Sequence, residues 1–247
     1  QKTGSFKVRG AYSKINSLTN AQRKAGVIAA SAGNHAQGVA YAALKRNIKC
    51  NIVMPKNASP AKVAATRSYG ANVVLSGNTY DESWETAYSL SSENGYSIIH
   101  AFDDPVVIAG QGTIGLELME DLKDIDTIYL PLGGGGLASG VCIAIKAKRP
   151  DVKIVGVESN QFPAMKKSLE KGSLCHIEGG FSIADGISVK SPGELTFEIC
   201  SKYLDDVVTV DDVAIVETMF TLMEREKVVV EPAGAASLAY VLSSGKI

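Results

Sequence analysis

The sequence predicts an α/β fold of two αβ domains with largely parallel sheets, and three observations carry that prediction. Short β-branched runs alternate with longer stretches of helical periodicity, the order expected of βαβ crossovers. The alternation falls into two groups, separated by a long helical stretch at about 105–122. The chain has 247 residues, 45% apolar and 21% charged, which is enough apolar material for a sizeable core.

The elements follow in order. Val27-Ile28-Ala29-Ala30, Cys50-Asn51-Ile52-Val53-Met54, Asn72-Val73-Val74-Leu75 and Tyr96-Ser97-Ile98-Ile99 read as strands. Helices are expected between them at about 34–46, 59–69 and 80–94, the second opened by Ser59 as N-cap and Pro60 at its first position. After the 105–122 stretch come a strand at Thr127-Ile128-Tyr129-Leu130, a helix at about 135–148 and a strand at Lys153-Ile154-Val155-Gly156-Val157. Strands separated by helices of this length pair in parallel through right-handed crossovers. The chain is expected to leave one domain and return to it: a large domain from 1–22 and 105–247, and a small one from 23–104. There is no internal repeat, and no low-complexity linker marks a boundary.

Composition excludes several function classes. A formal charge of −1 offers no basic face for nucleic acid or an anionic membrane. No run approaches 18 consecutive apolar residues, so no membrane-crossing helix is expected. Cys50, Cys142, Cys175 and Cys200 are widely spaced with no C-x-x-C pair, which fits a reducing cytoplasm better than a disulfide framework. His35, His100 and His176 share no metal-ligand spacing, and no metal is expected. Asn57-Ala58-Ser59 matches a glycosylation acceptor by chance. The chain opens at Gln1, without Met and inside a motif, so it reads as a piece of a longer protein, cut at both ends.

Glycine is the compositional oddity, and it clusters. Gly133-Gly134-Gly135-Gly136-Leu137 follows a strand and precedes a helix. Each glycine costs roughly 0.5–1 kcal/mol relative to Ala when held in an ordered geometry, so a plain turn has no use for four. Four glycines let backbone N–H groups turn inward with no Cβ to block an anion, at a helix start whose dipole favours phosphate. A flexible turn is the competing reading. Gly110-Gln111-Gly112-Thr113-Ile114-Gly115 matches the dinucleotide fingerprint, but Pro105 and a helical pattern precede it where a strand is required. Close helix packing explains it better.

Two further segments bear chemistry. Thr3-Gly4-Ser5-Phe6-Lys7-Val8-Arg9-Gly10-Ala11 contains a lysine that becomes a nucleophile toward carbonyls if its setting depresses its pKa, and Phe6 hints at an apolar one. Ser31-Ala32-Gly33-Asn34-His35-Ala36-Gln37-Gly38 follows a strand and opens a helix, a place where backbone N–H groups bind a carboxylate. Within it, His35 could as easily be a satisfied structural partner.

Taken together, the Ser5–Ala11 segment, the Ser31–Gln37 turn and the tetraglycine loop resemble the pyridoxal-phosphate enzymes of fold type II, the tryptophan-synthase β-like group. The sequence is most similar to the threonine dehydratase and serine racemase family, with Ile183-Ala184-Asp185-Gly186-Ile187 and Val230-Glu231-Pro232-Ala233-Gly234-Ala235 extending the resemblance along the chain. The resemblance implies pyridoxal 5'-phosphate in the cleft between the two domains, linked covalently to Lys7, with Phe6 packed beside the ring. It implies Asn34 on the phenolic oxygen, Gly133, Gly134, Gly135, Gly136 and Leu137 on the phosphate, and Gly186 and Glu231 close to the ring. Ser31, Ala32, Gly33, Asn34 and His35 would receive the substrate carboxylate. Lys7 would then take the α-proton, the β-hydroxyl would leave as water, and hydrolysis would give a 2-oxo acid and ammonia. A homo-oligomer, dimer or tetramer, is implied as well.

Two positions depart from the racemase pattern. Serine racemase resembles Ser-Ser-Gly-Asn-His in the turn, where the second Ser serves the opposite ring face; here that position is Ala32, which favours elimination over racemisation. Glu158 matches the first acid of a divalent site in that enzyme type, but Ala164 stands where the second would be, so Glu158 reads as a strand-end carboxylate. The Ser-Gly-Gly-Asn turn that contacts the pyridine nitrogen in family members does not occur before Ile247. Three readings stand: a threonine/serine dehydratase, another enzyme of the fold such as serine racemase, threonine synthase or a cysteine-synthase-like one, and a non-catalytic phosphate- or amino-acid-binding fragment.

Overall fold

The computed structural model of the protein describes residues 1–245; Lys246 and Ile247, the end of the expected 105–247 segment, lie outside the described residues. In chain order the first elements are α1 (Lys7–Ser17), α2 (Asn20–Ala25), β1 (Val27–Ala30), α3 (Asn34–Lys45) and β2 (Cys50–Met54). Then follow α4 (Pro60–Ser68), β3 (Asn72–Leu75), α5 (Tyr80–Asn94), β4 (Ser97–Ile98) and α6 (Pro105–Asp121). The rest is β5 (Thr127–Pro131), α7 (Gly136–Lys146), β6 (Lys153–Ser159), α8 (Ala164–Lys171), α9 (Glu194–Tyr203), β7 (Asp206–Val210), α10 (Asp212–Thr221) and α11 (Pro232–Ser244). A short 3₁₀ turn, Asp185–Ile187, precedes α9, and α10 runs on into a π-turn at Leu222–Glu226. Two compact units result, Gln1–Gln111 and the part from Gly112 on, the division falling inside α6.

The first unit holds a four-stranded parallel sheet of order β3-β2-β1-β4. Side chains of a strand alternate between faces, and a parallel sheet covered by helices on both sides buries both sets. Val27 and Ala29 accordingly join Ile52, Met54 and the α3 residues Val39 and Ala43 in one core, while Ile28, Ala30 and Val53 join Ala87 of α5 in the other, with Trp84 packed against them. That two-sided burial explains why β1 and β2 read as unbroken apolar runs. The polar exception is Asn51, buried in β2, whose Oδ1 accepts from Nδ2 of its cross-strand neighbour Asn72 at 3.0 Å.

The second unit has a three-stranded parallel sheet, β5-β6-β7, with β6 in the centre. Ile154 lies in a core with Leu132, Ala138, Val141 and Ile145, and Val157 in a core with Ile215, Ala235, Ala236 and Ala239. The one-residue alternation along β6 again sorts residues to opposite faces.

The α/β class and all six expected strands are present, with boundaries moved by at most two residues. Ser59 does occupy the N-cap of α4 but makes no side-chain capping bond, so Pro60 alone marks that start. The working caps lie elsewhere: Thr79 accepts from Glu82 N at 3.2 Å, and Asp211 from Ala214 N at 2.8 Å. The decoy glycines pack helices as expected. A Cβ on Gly110 would stand 2.6 Å from the Cα of Gly10, and one on Gly112 2.8 Å from the carbonyl of Gly140.

Candidate active site

Lys7 opens α1, after Phe6 at the N-cap. Its own N–H donates to Ser5 Oγ at 3.3 Å, and its Nζ donates to the carbonyl of Ala101 at 3.1 Å. The Phe6 ring centroid lies 5.4 Å from Nζ, within reach of a cation–π contact. The helix carrying the lysine is held close to two others. A Cβ on Gly38 of α3 would sit 3.0 Å from Val8 N and 3.1 Å from Lys7 C, and one on Gly10 would sit 2.7 Å from the carbonyl of Val107. Gln111, buried in α6, accepts from Gly10 N at 3.2 Å. A lysine on a helix packed this tightly has a fixed base for its side chain.

The turn Ser31–His35 leaves β1 and starts α3. Ser31 N bonds back to Val53 O at 3.1 Å, continuing the sheet, and Ser31 Oγ accepts from Gly33 N at 3.2 Å. Gly33 is the N-cap of α3, and no side chain caps this helix start. Ala32 packs against the α1/α3 core rather than offering a polar group. His35 is buried, and its Nε2 bonds the carbonyl of Ile99 at 2.8 Å, which fixes Nε2 as the protonated nitrogen. Its Nδ1 is a buried lone pair with no hydrogen-bond partner. Burial, then the nearby Lys7 charge, pushes the His35 pKa down to about 3, so the ring is neutral near pH 7.

His100 stands beside this group, where sequence reasoning placed no site residue. Its Nδ1 accepts from Asp103 N at 2.7 Å and Phe102 N at 3.2 Å, closing a turn around Ala101, the carbonyl partner of Lys7. Trp84 and Phe102 meet the His100 ring edge-on, with centroids at 5.0 and 4.8 Å. Burial, outweighing the nearby Asp103 carboxylate, moves its pKa down from the ordinary range. A backbone carbonyl links this turn to Lys7, and no pattern in side-chain identity announces that contact.

In the second unit, Leu132 N continues the sheet to Val157 O at 2.8 Å, and the four glycines then lead into α7. Gly135 is the N-cap in a left-handed conformation, φ +94°, and a Cβ there would meet Thr196 Cβ at 2.8 Å and Met165 Cε at 2.9 Å. Thr196, buried, donates its hydroxyl to Gly134 O at 2.7 Å and so ties the loop to the start of α9. The first turn of α7 carries no acidic residue and no side-chain cap, so its N–H groups and dipole suit an anion. Leu137 lies in that first turn, partly buried against the Ile154 core.

Gly186 and Glu231 are brought together: a Cβ on Gly186 would lie 3.9 Å from Glu231 Oε1 and 2.9 Å from Ala233 Cβ. Glu158, at the end of β6, accepts from Met165 N at 2.8 Å and Lys166 N at 2.9 Å, capping α8. Burial dominates those bonds and raises its pKa to about 7. All four cysteines are free thiols.

The first unit thus gathers Phe6, Lys7 and the turn from Ser31 to His35, and the second gathers Gly133 to Leu137 in one loop and Gly186 with Glu231 in another place. A lysine amine, an uncapped helix start beside a buried histidine, and a glycine loop opening a second helix can serve carbonyl and anion chemistry.

Comparison with known proteins adds an independent line. A family model described as pyridoxal-phosphate dependent enzyme matches residues 1–246. The chain is 52% identical over 243 residues to L-threonine ammonia-lyase of Thermotoga maritima, covering 98% of this chain and 61% of that protein. It is 45% identical over 247 residues to the catabolic L-threonine dehydratase of Escherichia coli, covering 100% of this chain and 75% of that one. Among solved structures, the processed form of threonine deaminase isoform 2 from Solanum lycopersicum is similar with a TM-score of 0.96 and 40% identity, over 100% of this chain and 73% of that chain. Maize serine racemase is similar with a TM-score of 0.96 and 39% identity, over 99% and 74%.

Proposed function

The chain belongs to the pyridoxal-phosphate dependent enzyme family, and on that premise we propose that the protein it forms deaminates L-threonine, and L-serine as well, by β-elimination of water to a 2-oxo acid and ammonia. The observation that carries this reading is Lys7 at the start of α1, its Nζ held by Ala101 O, in a chain 52% identical to a threonine ammonia-lyase. The residues present fit the cofactor: the α7 start has neither an acid nor a side-chain cap, and Gly135 sits where no other residue suits the backbone. When bound, the cofactor supplies an electron sink for the charge left at the substrate α-carbon.

The chain's own groups do the rest. Lys7 Nζ would hold the cofactor at its carbonyl carbon and, as a free amine, would take the α-proton as general base. The amides of Gly133, Gly134, Gly135, Gly136 and Leu137 would hold the phosphate, and Phe6 would pack beside the ring. The Asn34 side chain would hydrogen-bond the ring's phenolic oxygen, and Gly186 and Glu231 would line the ring. The uncapped start of α3, from Ser31 through Ala32, Gly33 and Asn34 to His35, receives the substrate carboxylate; a neutral His35 leaves the net attraction to the backbone N–H groups and the dipole. The discontinuous division into 1–22 with 105–247 and 23–104 is part of the proposal, supported by the close packing of α1 on α6 through Gly10. A cytoplasmic homo-oligomer is proposed with it, and no described helix is long and apolar enough to cross a membrane.

A racemase reading has one observation in its favour, the likeness to maize serine racemase. Ala32 argues against it, because a methyl group has no proton to exchange on the second face. Full-length protein incubated with cofactor and L-threonine is expected to release 2-oxobutanoate. Bound cofactor absorbance without any 2-oxo acid would contradict the proposal. The choice between Thr and Ser rests on room for one methyl group, worth about 1–3 kcal/mol.

A further inference from the structure

Residues i, i+3 and i+7 of a helix share one face. On α1 that face is Lys7, Gly10 and Lys14, and all three positions meet the segment from Ala101 to Gln111. Lys7 Nζ donates to Ala101 O at 3.1 Å, Gly10 N to Gln111 Oε1 at 3.2 Å, and Lys14 Nζ pairs with Asp104 Oδ2 at 2.5 Å. Asp104 in turn accepts from Val106 N at 2.9 Å and Val107 N at 3.0 Å, which caps α6. The segment is therefore anchored to the lysine's helix beyond Ala101, but the Ala101 carbonyl itself sits in the turn His100–Asp103. What sets that turn is the His100 ring, whose Nδ1 collects two main-chain N–H groups while Trp84 and Phe102 hold its plane. A nitrogen that accepts two N–H groups must be the unprotonated one.

We propose that His100 is a positioning residue for Lys7: its Nδ1 knots the His100–Asp103 turn so that Ala101 presents its carbonyl to the lysine amine whenever that amine is free. One N–H of Lys7 pinned to a fixed carbonyl sets the direction of its remaining N–H bonds and lone pair, which a base taking a proton from a defined carbon requires. His100 touches neither substrate nor cofactor in this account. The inference rests on the reading of Lys7 as the reactive lysine.

The test compares His100→Phe, which keeps a ring and loses the acceptor, with His100→Asn, whose Oδ1 can accept from the amide two residues on. Both are made in the full-length protein. Without cofactor, acetylation of Lys7 by acetic anhydride is followed by mass spectrometry with Lys24 as internal reference. With cofactor, amide hydrogen exchange over 99–105 and kinetics with L-threonine are measured. In H100F, exchange at Phe102 and Asp103 is expected to rise at least tenfold and Lys7 acetylation at least threefold, with kcat down about tenfold and KM within twofold. In H100N all four return to within about threefold of the parent. Faster exchange in H100F with Lys7 acetylation unchanged would overturn the proposal, as would H100N behaving like H100F. Should H100F not fold, ¹⁵N shifts of the parent carry the test: a protonated Nδ1 overturns it and a bare one supports it. Exchange and acetylation need no turnover, so a protein that releases no 2-oxobutanoate would count against the proposed function while leaving this inference readable.

Discussion

The starts of α3 and α7 both offer backbone N–H groups to an anion, in different surroundings. The start of α3 carries the polar side chains Ser31, Asn34 and a buried neutral His35 around those groups, whereas the start of α7 is four glycines offering backbone alone. In the first, chemistry depends on which groups are present; in the second, on which atoms are absent. The difference decides how each should fail. The glycine loop is intolerant of an added carbon at Gly135, and the polar turn is sensitive to pH and to side-chain deletion.

The largest effect is expected from adding a single Cβ in the second unit. Gly135→Ala forces a side chain onto a left-handed backbone and against Thr196 and Met165. A loss of about 3 kcal/mol or more is expected, read as a lowered urea midpoint of the full-length protein together with weaker cofactor retention. A midpoint equal to the parent's would show that the loop is an adaptable turn. Next comes Thr196→Val, which keeps the shape but removes the hydroxyl bonded to Gly134 O. It should cost about 1–2 kcal/mol and loosen phosphate binding before it affects α9. Equal cofactor affinity in variant and parent would separate the Thr196 bond from the loop's function.

The two units also differ in the sign of their pH response. His35 has a folded pKa near 3, below its ordinary 6.5, so its contribution is full above pH 6.5 and is lost as pH falls toward 3, with a limiting slope of about 1.4 kcal/mol per pH unit. Glu158 has a folded pKa near 7, above its ordinary 4.5, so its contribution is full below pH 4.5 and is lost as pH rises through 7. Urea midpoints across pH 4–8 should therefore fall less steeply on the acid side in His35→Gln and less steeply toward neutral in Glu158→Gln. Unchanged profiles in both variants would remove these two groups as the source of the pH dependence. The smallest effect expected is a gain: Ala32→Ser should raise racemisation of L-serine above the parent's, seen in a chiral amino-acid assay, and no rise would count against the role given to Ala32.

The same contrast governs how much could be read from sequence. β1 and β2 were legible because burial on both faces writes a nearly unbroken apolar run, β3 because Val73-Val74 is a β-branched pair in a half-exposed strand, and the tetraglycine loop because glycine is costly enough to need a reason. The α1 helix was hidden. Phe6 is a poor start signal and Gly10 argues against a helix, yet Gly10 is there for the approach of α6. β7 carries a β-branched run, Val207-Val208-Thr209-Val210, but no alternation of strand and helix signals as regular as that before Val157 surrounds it. Lys7, Asn34, His35 and the glycines could be named from their motifs. Ala101 could not, because it acts through its carbonyl, 94 residues away from the lysine.

The central claim is that Lys7 is the reactive lysine, and borohydride tests it most directly. Full-length protein loaded with pyridoxal 5'-phosphate is reduced, digested and mapped by mass spectrometry. The account requires the cofactor mass on the peptide containing Lys7 and its loss in Lys7→Ala; the mass on another lysine, with Lys7 unmodified, would contradict it.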